Sequence, residues 1–367
     1  MSTTEYDNTT IILSNPPTKE VDFDYESKTS TFKVSKSKFS TANLKPTDIA
    51  IKTLYLSNDP TQRGWIQKNQ NPATSYVKPV LENDPVSSLG LAEIIAVGSE
   101  ITNYKVGDVI NGFLSWTQYG IINEKQIFNK IDLSKKLPLY YYLTVFGMTS
   151  LTAWSGLTQV GQIKKGDVVI VSAASGATGS VVVQLAKKVY GASKVIGISS
   201  SLEKIKFVES LGADVCLNYK DSDFFEKLQK EVGSDGVSLY WDNVGGEILD
   251  HVLNVMATKG RIVACGAISG YNDGSKFAVK HWPVIITRRL RVEGFIVGDF
   301  SAKFGEAIET LAGALTSGKL KFQEGETCTI EDCTGDKFEK VPKVWGKLFS
   351  ADKPNGKLVS LVSEYKA

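Results

Sequence analysis

Histidine is almost missing from this chain, which holds only His251 and His281 in 367 residues. No metal site or Ser–His or Cys–His pair that needs an imidazole can therefore be built from the first 250 residues alone. Cysteine is scarce as well, and Cys216, Cys265, Cys328 and Cys333 are irregularly spaced. Cys216 and Cys265 lie in apolar, strand-like runs, where a thiol behaves as a small hydrophobe. Cys328 and Cys333 lack the neighbouring Cys and His that a structural zinc requires, so free thiols are expected. No apolar run reaches the roughly 18 residues of a spanning helix. The net charge of +2 carries no basic excess to argue for nucleic acid or an anionic membrane. The opening "MSTTEYDNTT" shows neither the basic region nor the apolar run of a secretory signal. A cytoplasmic protein, with neither nucleic acid nor membrane as partner, is the expectation.

The composition, 42% hydrophobic and 22% charged, is that of a globular protein, and the length calls for more than one ordinary core. Short β-prone runs such as "TFKV", "IAIKTLYL" and "LAEIIAVG", separated by Pro, Asn, Asp and Gly, predict a β-rich first domain. The rhythm changes near residue 166. "GDVVIVSA", "KVIGIS", "DVCLNY", "GVSLYWDN" and "RIVACGAI" read as strands that alternate with helical stretches of 10 to 15 residues. This alternation implies βαβ crossovers and a doubly wound parallel sheet. "RVEGFIVG" reads as one more strand. "SAKFGEAIETLAGALTSG" reads as a helix whose Phe304, Ile308, Leu311, Ala312 and Leu315 form a core-facing stripe. The irregular tail, with "KPNGKLVSLV" as a last strand, is expected to rejoin the first domain. The predicted α/β division is thus 1–145 with 322–367, β-rich, and 146–321, the parallel-sheet domain.

"VVIVSAASGATGSVVVQLAKKVYG", residues 168–191, has a strand before, a helix after and small residues between. That is the context of a dinucleotide-binding turn, although the spacing is Ala174-x-Gly176-x-x-Gly179 rather than three glycines. Gly176 lets the backbone approach a pyrophosphate, Gly179 lets the helix pack closely, and the helix amides point at the anion. A plain strand–helix turn is the competing reading. The next strand ends in Ser199, Ser200 and Ser201, followed by Lys204. No carboxylate stands there to bind a ribose 2′-hydroxyl, and hydroxyls with an ammonium suit a 2′-phosphate, which favours NADP over NAD. A solvated surface lysine is the alternative for Lys204.

These residues also resemble a family. "LSNDPTQRGWI", "GMTSLTAWSGL", "AASGATGSVVVQLAK", "YWDNVGGEILD", "GRIVACGAISGYN", "RRLRVEGFIVGDF" and "NGKLVSLV" form an ordered series over most of the chain. The series is similar to the zinc-independent medium-chain dehydrogenases/reductases, in particular prostaglandin reductases, leukotriene B4 12-hydroxydehydrogenases and alkenal double-bond reductases. The resemblance implies a Rossmann domain plus a GroES-like β-rich domain, and a homodimer paired through the edge strand "RVEGFIV". It implies that Gly176, Ala177, Thr178 and Gly179 hold the pyrophosphate of NADPH. Ser200, Lys204 and Tyr219 would then lie at the 2′-phosphate and adenosine. Asn243 would contact the cofactor at the sheet edge. Cys265, Gly266, Ala267, Ile268, Ser269 and Tyr271 would pass the nicotinamide half, flanked by Phe295, Ile296 and Val297, with Asn355 reaching in from the tail.

Zinc-using relatives carry Gly-His-Glu where this chain has "GLAEI", with Leu91 and Ala92, so a metal-free chemistry is expected. The resemblance implies hydride transfer to the β-carbon of an enal or enone, with enolate stabilisation and Tyr271 as donor or positioner. Where the family has Asp-Pro-Tyr-Met-Arg, this chain has Asp59, Pro60, Thr61, Gln62 and Arg63, and one departure matters: Thr61 stands where a tyrosine lines the substrate pocket, and Tyr140, Tyr141 or Tyr142 could replace that ring or merely pack. A quinone reductase with the same cofactor site and a non-catalytic NADPH-binding protein remain as alternatives.

Overall fold

The computed structural model describes residues 5–42, 44–350 and 353–366. The chain divides into two units. The first comprises residues 1–143, 330–354 and 358–367, and the second comprises 144–329 and 355–357.

In the first unit, β1 (Glu5–Leu13) and β2 (Phe32–Ser40) pair antiparallel as a two-stranded ribbon. β3 (Ile49–Asn58) leads into the single-turn helix α1 (Gln62–Trp65), then β4 (Ser87–Val97), β5 (Val109–Ser115), β6 (Tyr119–Ile122) and β7 (Ile127–Lys130). β3, β4, β5 and β7 lie side by side, and β6 pairs with the other end of β3. The core sits between ribbon and sheet, where the rings of Phe32, Trp116 and Trp345 meet.

The second unit begins with α2 (Met148–Ser155). It then alternates β8 (Val168–Val171), α3 (Ala177–Gln184), β9 (Lys194–Ser199), α4 (Leu202–Ser210), β10 (Val215–Asn218), α5 (Phe224–Val232), β11 (Val237–Asp242), α6 (Gly246–Leu253), β12 (Met256–Ala264), α7 (Pro283–Thr287), β13 (Arg291–Gly294) and α8 (Phe304–Thr316). The strands are parallel, in the order β10-β9-β8-β11-β12-β13. The chain starts in the middle, winds outward to one edge, returns and winds to the other. This is the doubly wound order, whose switch point lies between β8 and β11. Near-continuous Val and Ile in β8 and β9 fit strands covered on both faces. β14 (Cys328–Asp332), α9 (Val341–Gly346) and β15 (Lys357–Leu361) complete the chain, and β15 pairs antiparallel with β3 from Leu358 onward.

Three details differ from the sequence reading. The strand expected over residues 291–298 stops at Gly294, and a 3-10 turn (Val297–Lys303) follows. The buried face of α8 is Ala307, Leu311 and Ala314, while Ile308 is 41% exposed. The helix is rotated relative to the expected stripe, with the small Ala307 and Ala314 on the covered face beside Leu311. The unit boundary lies at 329/330 rather than 321/322. Residues just past 321 stay with the second unit because Gln184, buried on α3, binds the Lys321 backbone, accepting its N–H at 2.7 Å.

Candidate active site

The functional residues of the second unit gather where parallel strands end. β8 runs into residues 172–176, and Ala173 takes a left-handed φ of 47° to make the turn. Its carbonyl then accepts the Gly176 N–H at 3.0 Å. A β-carbon on Gly179 would collide with that same carbonyl oxygen and would lie 2.9 Å from Ala174 Cα, so α3 can approach the strand end only because this residue is glycine. At Gly176 a β-carbon would meet only the Ala173 oxygen, at 3.3 Å, and otherwise open space. No side chain caps α3. The amides of Ala177, Thr178 and Gly179 thus lead the helix without intrahelical acceptors, which leaves donors and positive dipole facing outward.

Two groups of residues flank this turn. On the β9 and β10 side, Ser175 Oγ meets Ser199 Oγ at 3.0 Å, and Tyr219 N–H donates to the Ser199 carbonyl at 3.0 Å. Ser201 caps α4 by accepting from Lys204 N–H at 3.3 Å. Ser199 and Ser201 are therefore used inside the fold. Ser200 is the hydroxyl of the three with no partner among the described residues. Lys204 is 7% exposed, which corrects the reading of a solvated surface lysine, while the Tyr219 ring is 44% exposed. From the tail, Gly356 N–H donates to the Ser175 carbonyl at 2.8 Å, and this sets Asn355 beside the glycine turn. Asn355 Oδ1 is buried with no hydrogen-bond partner among the described residues.

On the β11 and β12 side, Asn243 is held by three bonds. Its N–H donates to Ser172 Oγ at 2.9 Å, its amide donates to the Ser172 carbonyl at 2.7 Å, and its Oδ1 accepts from Trp241 Nε1 at 3.0 Å. Cys265 and Gly266 N–H both donate to the Asp242 carbonyl, at 2.9 and 3.1 Å. Burial and the nearby Asp242 push the Cys265 thiol up to about 12, so it stays protonated at neutral pH. Ile268 and Ser269 N–H donate to the carbonyls of Asn243 and Val244, so the two loops are stitched together, with Ala267 between them. Tyr271 folds back over the turn, and its hydroxyl lies 3.5 Å from where a β-carbon on Gly266 would stand. Phe295 packs against the Trp241 ring at 6.1 Å, and Ile296 is 38% exposed ahead of Val297. The structure brings Ser200, Lys204, Tyr219 and Asn355 to one side of the glycine turn and Asn243, Cys265–Tyr271 and Phe295 to the other.

These features fit a dinucleotide. Uncapped helix amides suit a pyrophosphate, a buried ammonium suits a phosphate monoester, and an unpaired buried carbonyl oxygen awaits a donor. A profile described as "Zinc-binding dehydrogenase" matches residues 177–313, and one described as "N-terminal domain of oxidoreductase" matches residues 20–130. The NADP(+)-dependent 2-alkenal reductase of Nicotiana tabacum is 34% identical over 98% of both chains. The "Uncharacterized membrane protein YML131W" of Saccharomyces cerevisiae is 36% identical over 96% of this chain and 97% of its own. CurA from Vibrio vulnificus, solved in complex with NADPH, superposes with a TM-score of 0.81 at 29% identity, over 97% of this chain and 99% of its own. The chain belongs to the medium-chain dehydrogenase/reductase superfamily.

In this reductase-branch member, Leu91 and Ala92, which stand in place of the zinc-binding Gly-His-Glu, are fully buried apolar residues of β4. Among the described residues no group of three or more His, Cys, Asp or Glu is placed to hold a metal, and no helix is long and apolar enough to cross a membrane. In the first unit, the family-like segment Asp59–Arg63 is anchored from below. Gln62 is 1% exposed and Arg63 is fully buried, and Trp345 Nε1 donates to the Asp59 carbonyl at 3.0 Å. Thr61 faces outward and its hydroxyl is hydrogen-bonded to that of Tyr76. The ring tethered to Thr61 is thus Tyr76, while Tyr140 and Tyr141 stack edge-on against each other at 5.1 Å.

Sequence reasoning missed Asp242. It sits inside the quoted "YWDN" run, and a carboxylate at a strand end was the available signal. Asp242 is 2% exposed, and burial raises its carboxyl pKa against the pull of its hydrogen bonds.

The two glycines of the turn separate in a stability test. Gly179→Ala is expected to cost roughly 1–3 kcal/mol through overpacking. Gly176→Ala, at a φ of −79° where only the Ala173 oxygen at 3.3 Å must give slightly, is expected to cost less, about 1 kcal/mol or below. Thermal and urea unfolding of both variants check the order, and equal losses would contradict the geometry.

Proposed function

We propose that this protein is an NADPH-dependent reductase of the activated C=C bond of α,β-unsaturated aldehydes and ketones. The observation that carries the reading is the strand-end arrangement: an uncapped helix amino end, with buried Lys204 on the next helix and no carboxylate at the end of β9. The near full-length likeness to the tobacco 2-alkenal reductase supports the substrate class.

The amides of Ala177, Thr178 and Gly179 hold the pyrophosphate. Lys204, with Ser200 and Tyr219, binds the 2′-phosphate end, and Asn355 Oδ1 accepts a hydrogen bond from the cofactor. Asn243, the Cys265–Tyr271 loop and Phe295–Val297 position the nicotinamide half. Bound there, NADPH supplies a hydride to the substrate β-carbon. The carbonyl oxygen gains negative charge, and Tyr271 donates to it or orients the ribose beside it. The α-carbon then takes a proton, so one NADPH and one proton reduce one C=C bond. A dry, preorganised donor is worth most while charge develops on the oxygen.

A screen of NADPH and NADH oxidation with enals, enones and quinones tests the reading. Enal and enone reduction with NADPH is expected, and Lys204→Ala should cut the preference for NADPH over NADH by about 10- to 100-fold, the worth of a charge-assisted hydrogen bond. Turnover of quinones with none of enals would overturn the substrate class, and binding without any oxidation would make the protein an NADPH-binding module. Tyr271→Phe should lower kcat on enones by up to about 10²-fold, as for loss of an oxyanion donor. Unchanged turnover on every active substrate would remove Tyr271 from the chemistry.

A homodimer belongs to the same reading. β13 is an edge strand with Val292 43% exposed, and α7 just before it exposes Ile286 at 72%, with Trp282 at its start at 63%. An unpaired edge beside exposed large apolar side chains is suited to a second copy. Sedimentation is expected to show a dimer that Ile286→Lys with Val292→Lys converts to a folded monomer. A monomeric wild-type protein would refute the pairing.

A further inference from the structure

One buried carboxyl joins the two loops of the nicotinamide side. Asp242 Oδ1 accepts from the Tyr240 hydroxyl at 2.7 Å, from Val244 and Gly245 N–H at 2.9 Å each, and from Ser172 Oγ at 3.2 Å. Its backbone carbonyl accepts from Cys265 and Gly266 N–H. Ser172, which donates to Oδ1, also accepts the Asn243 N–H. The end of β8, the turn after β11 and the loop after β12 are thus tied to a single residue at the switch point of the sheet. Ser172, at the strand end of the turn, takes part in this set, but Ser175 to Gly179, Lys204 and Tyr219 receive none of these bonds.

The geometry points to Asp242 as a positioning residue for the nicotinamide half of the cofactor, acting through Asn243 and the Cys265–Tyr271 loop and not through the adenylate end. The inference rests on the NADPH site proposed above. Asp242 touches neither cofactor nor substrate in this role. It accepts from four donors of neighbouring elements, and so fixes two loops against each other. Its burial, which favours the neutral carboxyl, means that an amide of the same shape can serve nearly as well.

The test compares two probes on the full-length protein: 2′,5′-ADP, which reports the adenylate end, and NADPH, which reports both ends. In Asp242→Ala, NADPH affinity is expected to fall by about 10- to 100-fold, the scale of a misplaced reacting group, while 2′,5′-ADP affinity stays within about twofold. The fluorescence change of the reduced nicotinamide on binding should shrink in parallel. Asp242→Asn is expected to restore NADPH affinity to within about threefold of wild type. Should Asp242→Ala not fold, Ser172→Ala and Tyr240→Phe each remove one member of the cluster and should show the same split on a smaller scale. Equal losses for both probes would reduce Asp242 to general scaffolding and overturn the inference, as would unchanged NADPH binding. Neither readout uses a substrate, so failure of the alkenal chemistry leaves this test standing. Wild-type protein that binds no NADPH would refute the cofactor site and this inference together.

Discussion

Helix α3 can press against the end of β8 only because position 179 has no side chain, and much of the site follows from that approach. The Ala173 carbonyl, turned by a left-handed backbone, occupies the space a β-carbon would need and accepts the Gly176 N–H instead. The first amides of α3 are therefore left facing outward without a cap. The turn also splits the strand end in two directions. Ser172 reaches toward β11, and Ser175 reaches toward β9 and the returning tail. One constraint thus leaves an uncapped helix end suited to an anion and places a different half of the candidate site on each side of it.

Alternation of strand and helix was legible because it is written locally, in runs of Val and Ile and in the residues between them. The glycine turn was legible for the same reason. What escaped the sequence depends on distant partners. Asp242 stands next to an assigned residue, yet its role appears only when Ser172, Tyr240, Val244 and Gly245 converge on one oxygen. The sequence reads Lys204 as a phosphate ligand with a solvated lysine as the alternative, and only the fold around α4, which covers it to 7% exposure, removes that alternative. The hydroxyls after β9 read as one phosphate-binding set, and two of the three turn out to serve as internal hydrogen-bond partners. Periodicity places Ile308 in the core, whereas the covered face of α8 is carried by two alanines with Leu311, which a search for large apolar residues passes over.

The two sides of the glycine turn are built on different principles. The side toward β9 and β10 presents charge and hydroxyl from separate elements, and its selectivity lies in which groups are left over once the fold has used the others. The side toward β11 and β12 is a closed set of hydrogen bonds in which nearly every donor is already matched. A loosely specified half can discriminate one phosphate from a hydroxyl through charge alone. On the proposed reading, hydride transfer would demand placement within fractions of an ångström, and the stitched loops are suited to supply the rigidity for it.

The same separation of scaffold from presentation recurs in the first unit. In the segment Asp59–Arg63, Gln62 and Arg63 are spent inward: the Gln62 side chain accepts the Asp59 N–H and donates to the Ser87 carbonyl, while the Arg63 guanidinium donates to the Lys19 carbonyl. Their burial fixes the path of the backbone whatever stands at position 61. Thr61 is left outward, in a helix-starting position where its hydroxyl makes no cap and instead binds the Tyr76 hydroxyl. A ring borne by a different part of the chain is thereby held beside the anchored turn. The chain thus departs from the family pattern twice in this segment, at Gln62, which the fold buries and bonds, and at Thr61, which it leaves outward, and only the second alters the surface offered there.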